Sequence, residues 1–128
     1  MSDPIKHECG IALLRLKKPL EYYLEKYGTA LYGVNKMHLL MEKQHNRGQD
    51  GAGIANIKFD MEPGQRYISR TRSIKKNPTQ DIFDQINGKF QQIQQENPEH
   101  LKDVNYLKQN AGFTGELFLG HLRYGTFG

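Results

Sequence analysis

Two alternating segments on either side of Pro63-Gly64 constrain the fold of this chain more than any other feature. Residues 54–59 alternate between apolar and polar side chains, and residues 66–74 alternate again. Successive side chains of a strand point to opposite faces, so each segment is typical of a strand with one buried face. Proline followed by glycine is a turn signal. The two segments therefore predict a hairpin and, with it, antiparallel strand pairing.

Further elements are predicted before this hairpin. Residues 9–16 form a short apolar run between a charged leader and Lys17-Lys18-Pro19, which favours a buried strand. Residues 20–44 are rich in helix formers and carry an apolar stripe at helical spacing. Gly28 and Gly33 leave open whether this stretch forms one bent helix or two shorter ones.

The remaining elements complete an α+β pattern. The glycine cluster of residues 47–53 is expected to end the first helical stretch. Thr79 is predicted to cap a helix that continues past residue 90, followed by a polar loop and a further short helix up to residue 109. Residues 116–124 are predicted as the last strand. The order strand, helix, strand, strand, helix, strand indicates an α+β fold with an antiparallel sheet.

Length and composition limit the classes of protein that fit. At 128 residues one domain with a modest core is expected. A single cysteine cannot form an internal disulfide or a four-cysteine zinc site, so a cytoplasmic location is expected. No apolar run approaches the ~18 residues of a membrane helix, and the N-terminus lacks the apolar core of a secretory signal. No membrane partner is therefore expected.

Charge and histidine content indicate neither a nucleic-acid partner nor a metal. The net charge of +4 is spread along the chain, which is typical of a solvated surface. Nucleic-acid binding is the functional alternative, but no recognised nucleic-acid-binding motif is present. The five histidines show no metal-ligand spacing, and the glycines match neither a phosphate loop nor a dinucleotide fingerprint. No metal or cofactor is expected in this domain.

Cys9 is the candidate nucleophile. A lone cysteine at the start of a strand is often only a small buried apolar residue, and that reading stays open. If residues 1–8 were removed, however, the α-amine of Cys9 would have a pKa of ~7.7–8.0 and could act as the base for the adjacent thiol. A cysteine–histidine pair using His45 or His121 is a further alternative.

Two arginines beside glycines are candidate binding residues. Either Arg47 or Arg123 could simply cap a helix or pair on the surface. Glycines let the backbone approach a ligand, however, and a guanidinium is suited to bidentate capture of a carboxylate. In the last predicted strand the residues that share a face with Arg123 are Leu117, Leu119 and His121. The polar members of this face come at the end of the strand, where a site could open.

Three motifs in this order resemble the class II glutamine amidotransferases. They are Cys9-Gly10-Ile11, the run of residues 45–53 (HNRGQDGAG) and the run of residues 120–126 (GHLRYGT). Within that family the Arg-Gly-Gln-Asp and Arg-Tyr pairs resemble the amidophosphoribosyltransferase branch of purine biosynthesis rather than the glucosamine-phosphate synthase branch. Residues 58–113 carry no family signal, so an insertion is expected there.

The resemblance implies an N-terminal nucleophile fold, an αββα sandwich of antiparallel sheets between helix layers. It implies that residues 1–8 are a leader and that Cys9 attacks the side-chain amide of glutamine, giving a thioester, ammonia and then glutamate. It implies that Arg123 binds the glutamine α-carboxylate in a pocket shaped by Tyr124, Gly125 and Thr126.

The resemblance also implies roles for the neighbours of these residues. It implies that Arg47 and Gly48 order the site near the nucleophile and that His121 supports the strand end. The ammonia-accepting phosphoribosyltransferase domain and a homo-oligomeric assembly are expected of a full-length protein.

The sequence departs from the family in two respects. It contains no phosphoribosyltransferase domain to use the ammonia. The family's oxyanion-hole asparagine and glycine, and the acid that holds the glutamine amino group, come later in the chain than Gly128; Asn110-Ala111-Gly112 precedes the arginine motif and is no substitute for that pair. Residues 9–128 are therefore expected to be the N-terminal part of the domain, and this chain alone is expected to be inactive, since an oxyanion donor is worth ~10²–10³ in rate. The alternatives are a catalytically inactive regulatory domain of the same fold and a related hydrolase acting on another amide.

Overall fold

The structure is a computed structural model that describes residues 9–44 and 49–124. These residues form four strands, four α-helices and a short 3₁₀ helix. In chain order the elements are β1 (Cys9–Arg15), α1 (Leu20–Tyr27), α2 (Tyr32–Lys43), β2 (Gln49–Ile57), β3 (Ile68–Ser73), α3 (Pro78–Glu96), the 3₁₀ helix (Pro98–Lys102), α4 (Val104–Asn110) and β4 (Leu117–Tyr124).

The strands form one antiparallel sheet in the order β1-β4-β2-β3. The predicted hairpin is confirmed as β2–β3, and the first and last strands are confirmed as β1 and β4. The first helical stretch ends at Lys43, before the glycine cluster, as expected. The strand, however, begins at Gln49, five residues before its predicted start at residue 54, and includes Gly51 and Gly53. Pairing with β4 on one side, joined by β3 from Ala52 onward, holds these glycines extended despite their weak strand propensity.

The first helical stretch divides into two helices at Gly28. Gly28 has a φ of 81°, and its N–H bonds to the carbonyl of Leu24, so it ends α1 in the left-handed conformation that glycine adopts without strain. Gly33, by contrast, lies inside α2 and is buried. A Cβ atom there would overlap the ring of Phe118 on β4. Gly28 thus breaks the helix, whereas Gly33 permits a helix to approach the sheet closely.

The long helix α3 begins two residues earlier than expected. Thr79 is not the cap, because the helix starts at Pro78 with Asn77 preceding it, and Thr79 is buried in the first turn. Proline fits this first position since its missing N–H would be unpaired there in any case. The expected loop and short helix are observed as the 3₁₀ helix and α4, which Asp103 caps by accepting a hydrogen bond from the N–H of Tyr106.

Helices α2 and α3 cover one face of the sheet. The core lies between them and the inward side chains of the strands, and His38 of α2 stacks on Phe83 of α3 at a ring separation of 4.3 Å. The segment of residues 58–113 contributes to this same core. Its fully buried apolar residues are Ile82, Phe83 and Leu107.

The opposite face of the sheet is open, and several large apolar side chains are exposed on it. Ile11 and Leu13 of β1 are 66% and 65% exposed, and Leu119 of β4 is 49% exposed.

The expected α+β class with an antiparallel sheet is confirmed by the observed elements and their pairing. The ranges 9–44 and 49–124 contain one sheet with helices on one face, and a second sheet is not among them. None of the helices in these ranges is long and apolar enough to cross a membrane.

A buried ionic network closes the end of the sheet at which β4 begins. Lys108 Nζ lies 2.6 Å from Glu116 Oε2 and donates to the carbonyl of Phe59 at 2.9 Å. The other carboxylate oxygen of Glu116 accepts the N–H of Phe59 at 2.8 Å. Lys58 Nζ in turn donates to the carbonyl of Lys108 at 2.7 Å. The network joins the last turn of α4 to the turn that follows β2.

Candidate functional site

The three motifs meet at the other end of the sheet. β1 begins there, β4 ends there and β2 begins there. Cys9 is paired with Arg123, and Arg123 is paired on its other side with Gly51. Neighbouring strands lie about 4.8 Å apart, so one residue from each motif stands in a single row across three strands. We call Cys9, Arg123 and Gly51 the motif row.

Side chains of β4 alternate between the two faces of the sheet, and this alternation leaves His121 and Arg123 of the third motif exposed. Phe118 and Leu122 are buried on the inner face and fix the register of the strand. Leu119, His121 and Arg123 are exposed on the outer face. The prediction that these residues share one face is confirmed, and this face is the open one rather than the one covered by helices.

A β-bulge lies where β2 enters the motif row. The pairing with β4 shifts between Gln49, which is opposite Tyr124, and Gly51, which is opposite Arg123. Asp50 is the extra residue, and it is exposed. Bulges of this kind commonly re-aim a side chain beside a functional site. Here Asp50 has no partner on β4 in the strand pairing, and it directly precedes Gly51, the partner of Arg123.

Gln44 ties the end of α2 to the start of β1. Its Nε2 donates to the carbonyl of Ile11 at 2.9 Å. A Cβ atom on Gly10 would overlap the Gln44 side chain, so glycine beside Cys9 leaves the space that this contact needs. The sequence analysis missed Gln44. The available signal is its position immediately before the motif that contains Arg47.

Several predicted site residues lie outside the described ranges. Arg47, Gly48, Gly125 and Thr126 are among them, and for Cys9 and Tyr124 only the backbone pairing is described. The structure therefore brings together the strand portions of the three motifs. The predicted roles of these six residues stay predictions.

His121 borders a depression of about 640 Å³ on the open face. The small residues Gly53 and Ala55 of β2 line it between the larger side chains of the neighbouring strands. Arg70 and Arg72 of β3 line its other side. The sequence analysis singled out neither arginine, although their alternate positions in the predicted strand place them on one face. The depression thus combines a floor of small residues with cationic walls.

The described residues include no group of three or more histidine, cysteine, aspartate or glutamate side chains able to hold a metal ion. The residues of the motif row that could take part in chemistry are Cys9 and Arg123. No family model, curated protein or solved structure matches this chain.

Proposed function

We propose that this chain belongs to a class II glutamine amidotransferase domain, which hydrolyses glutamine to glutamate and ammonia with Cys9 as the N-terminal nucleophile. The ammonia is used by a phosphoribosyltransferase domain of the amidophosphoribosyltransferase type, which transfers it to that domain's own substrate. The proposal rests on the resemblance of the three motifs, and one structural observation supports it most directly.

That observation is the motif row. Residues 9, 51 and 123 are far apart in the chain, and each belongs to a different motif. They nevertheless pair on adjacent strands at one end of the sheet. Motifs that had arisen by accident would have no reason to meet in this way. A shared site at the end of the sheet accounts for both the motifs and their register.

The chemistry proposed for this site begins with removal of residues 1–8. The freed α-amine of Cys9 accepts the thiol proton, and the sulfur attacks the side-chain amide carbon of glutamine. The same proton passes to the leaving nitrogen, which departs as ammonia and leaves a glutamyl thioester. Water then attacks the thioester, releasing glutamate and restoring the thiol. Arg123 binds the α-carboxylate of glutamine and so fixes the distance between the amide and Cys9.

The open face supports the finer fold assignment that we propose, the αββα sandwich. A second sheet packed there would bury Ile11, Leu13 and Leu119, which are exposed in the described part of the chain. Two sheets packed face to face lie about 10 Å apart with interdigitating apolar side chains. Two exposed leucines and an isoleucine on one face provide part of the apolar surface that such packing requires.

A catalytically inactive domain of the same fold is the second candidate function. It is favoured by the position of the asparagine–glycine pair in residues 110–112. Asn110 Nδ2 donates to the carbonyl of Tyr106, and Gly112 lies against Ser69 of β3. β3 and β1 are the opposite edges of the sheet, so this pair is not an oxyanion hole for Cys9.

Intact mass spectrometry of the protein expressed from its native gene tests the proposal. We expect loss of residues 1–8, followed by addition of one equivalent of a thiol-directed glutamine analogue. Cys9→Ala should abolish the addition, and an analogue that lacks the α-carboxylate should react far more slowly. Retention of the leader together with no reaction would favour the inactive domain.

A further inference from the structure

A second groove lies on the other side of the molecule from Cys9, where β3 meets the C-terminal half of α3. Its volume is about 460 Å³, which falls in the ~300–1,000 Å³ range of small-molecule sites. Strand β3, helix α3 and the loop of residues 110–113 form its walls. We call it the β3–α3 groove. None of its lining residues belongs to the three motifs.

Three cationic side chains line the β3–α3 groove, and they are Arg66, Arg70 and Lys89. All three are exposed, and within the described ranges none of them has a carboxylate within 4.0 Å. Glu96 is the only carboxylate among the described lining residues. Cations on a mixed surface can pair with acidic neighbours, but these three line one concave site and form no ion pair with the described carboxylates. The groove thus has excess positive charge of about two units.

The floor of the groove is apolar. Ile86, Phe90 and Ile93 of α3 line it together with Phe113. Phe113 has a φ of 64°, a conformation that a bulky residue rarely adopts because of steric strain. Its N–H donates to Ser69 Oγ of β3 at 3.3 Å, which helps to hold the loop in this conformation. A strained loop that presents a phenylalanine into a cationic groove is consistent with a binding role.

We propose that the β3–α3 groove binds a small phosphomonoester with a flat apolar body. The apolar floor contacts the body, and Arg66, Arg70 and Lys89 contact the phosphate. A phosphomonoester carries about −1.5 to −2 charge at pH 7, which matches the excess charge of the groove better than the single charge of a carboxylate does. Guanidinium groups bind phosphate oxygens in bidentate fashion, which adds geometric selectivity.

This site is independent of the proposed glutaminase function. β3 and β1 are opposite edges of the sheet, so two strands separate the groove from Cys9. A ligand here needs neither the thiol nor removal of residues 1–8. Cys9→Ala, which would abolish reaction with a glutamine analogue, should leave binding in the groove unchanged. The two proposals can therefore fail separately.

The test is calorimetric titration of the whole protein with phenyl phosphate at fixed ionic strength. We expect saturable binding with a stoichiometry of one. Inorganic phosphate, benzoate and phenol should each bind at least about tenfold more weakly, since each lacks the ring or the second charge. Lys89→Gln and Arg66→Gln should each weaken phenyl phosphate binding by about tenfold, the loss typical of one charge-assisted contact.

Arg72→Gln is the matched control. Arg72 is an exposed arginine of the same strand, but it lines the depression beside His121 and not this groove. Binding should be unchanged in this variant. Equal weakening by Arg72→Gln and Lys89→Gln would mean non-specific charge attraction and would overturn the proposal. Absence of saturable binding, or binding of benzoate as tight as that of phenyl phosphate, would overturn it as well.

Discussion

Cys9 and Arg123 stand directly opposite each other on β1 and β4, and Gly51 stands on the other side of Arg123. Arg123 is exposed, so its guanidinium is accessible at the end of the sheet. One residue of β4 thus connects the strand that carries the candidate nucleophile with the strand that carries the second motif. This relationship gives the first prediction.

Arg123→Gln should slow the reaction of Cys9 with a thiol-directed glutamine analogue by about 10- to 100-fold. The physical reason is loss of the charged, bidentate partner of the α-carboxylate, a contact of about 1.5–3 kcal/mol. The measurement is the second-order rate of mass addition. A small neutral alkylating agent serves as the control, because its rate should not change. Equal slowing of both reagents would mean that Arg123 acts on the thiol or the fold and not on the carboxylate.

Lys108→Met should destabilise the protein by about 3–5 kcal/mol. The substitution leaves the carboxylate of Glu116 buried and unpaired, and the cost of a broken buried ion pair is of this size. The two side chains are only 16% and 8% exposed and lie 2.6 Å apart. Denaturant unfolding measures the change in the free energy of unfolding.

Lys75→Met is the matched control for this ion pair. Lys75 Nζ lies 3.8 Å from Asp81 Oδ1, and the Lys75 side chain is 77% exposed. An ion pair with so exposed a member contributes about 0–1 kcal/mol, so this variant should unfold at nearly the wild-type denaturant concentration. If Lys108→Met were as stable as Lys75→Met, the ionic network would not stabilise this end of the sheet.

The free energy of unfolding should depend on pH partly through the titration of Lys58. Burial lowers the pKa of Lys58 from its ordinary value of 10.5, and the nearby charge of Lys108 lowers it further. In the alkaline range between the lowered pKa and 10.5, the unfolded state binds more protons at this residue than the folded state does. The contribution of Lys58 to stability therefore rises as the pH rises through that range.

Comparison with Lys58→Met isolates this contribution from other groups that titrate at alkaline pH. The stability of the wild type relative to the variant should increase from neutral pH towards pH 10.5. Neutral Lys58 keeps its hydrogen bond to the carbonyl of Lys108, so the contact survives deprotonation. A difference that stays constant, or that falls with rising pH, would contradict the lowered pKa. Denaturant unfolding at a series of pH values provides the measurement.

The strands could be predicted from the sequence where burial follows the period of the strand. Alternation along residues 54–59 and 66–74 predicted the β2–β3 hairpin because one face of β2 is buried and the same face of β3 is less exposed than its other face. The start of β2 could not be predicted in this way. Gly51 and Gly53 have low strand propensity, and the pairing that extends them comes from β4, which is distant in the chain. Pairing with β4 therefore determines the extended conformation of Gly51 and Gly53, which their own strand propensity does not favour.

The candidate site was predictable as a set of motifs but not as a geometry. Motif order gave Cys9, Arg123 and the glycine cluster, whereas their adjacency depends on the strand order β1-β4-β2. The cationic groove beside β3 left no signal at the sequence level. Arg66, Arg70 and Lys89 are separated along the chain by other charged residues, and only the packing of α3 against β3 brings them together.

Two helix glycines give the final prediction, because they differ only in what surrounds them. Gly88→Ala should stabilise the protein by about 1 kcal/mol, the usual difference between alanine and glycine in a helix interior. Apart from its chain neighbours and the backbone of its own helix, no atom lies within 4 Å of a Cβ added at Gly88 on α3. Gly33→Ala should instead destabilise by about 1–3 kcal/mol, since the new Cβ would overlap the buried ring of Phe118. Thermal or denaturant unfolding of the two variants tests both signs, and a stabilised Gly33→Ala would mean that α2 packs less closely on β4 than described.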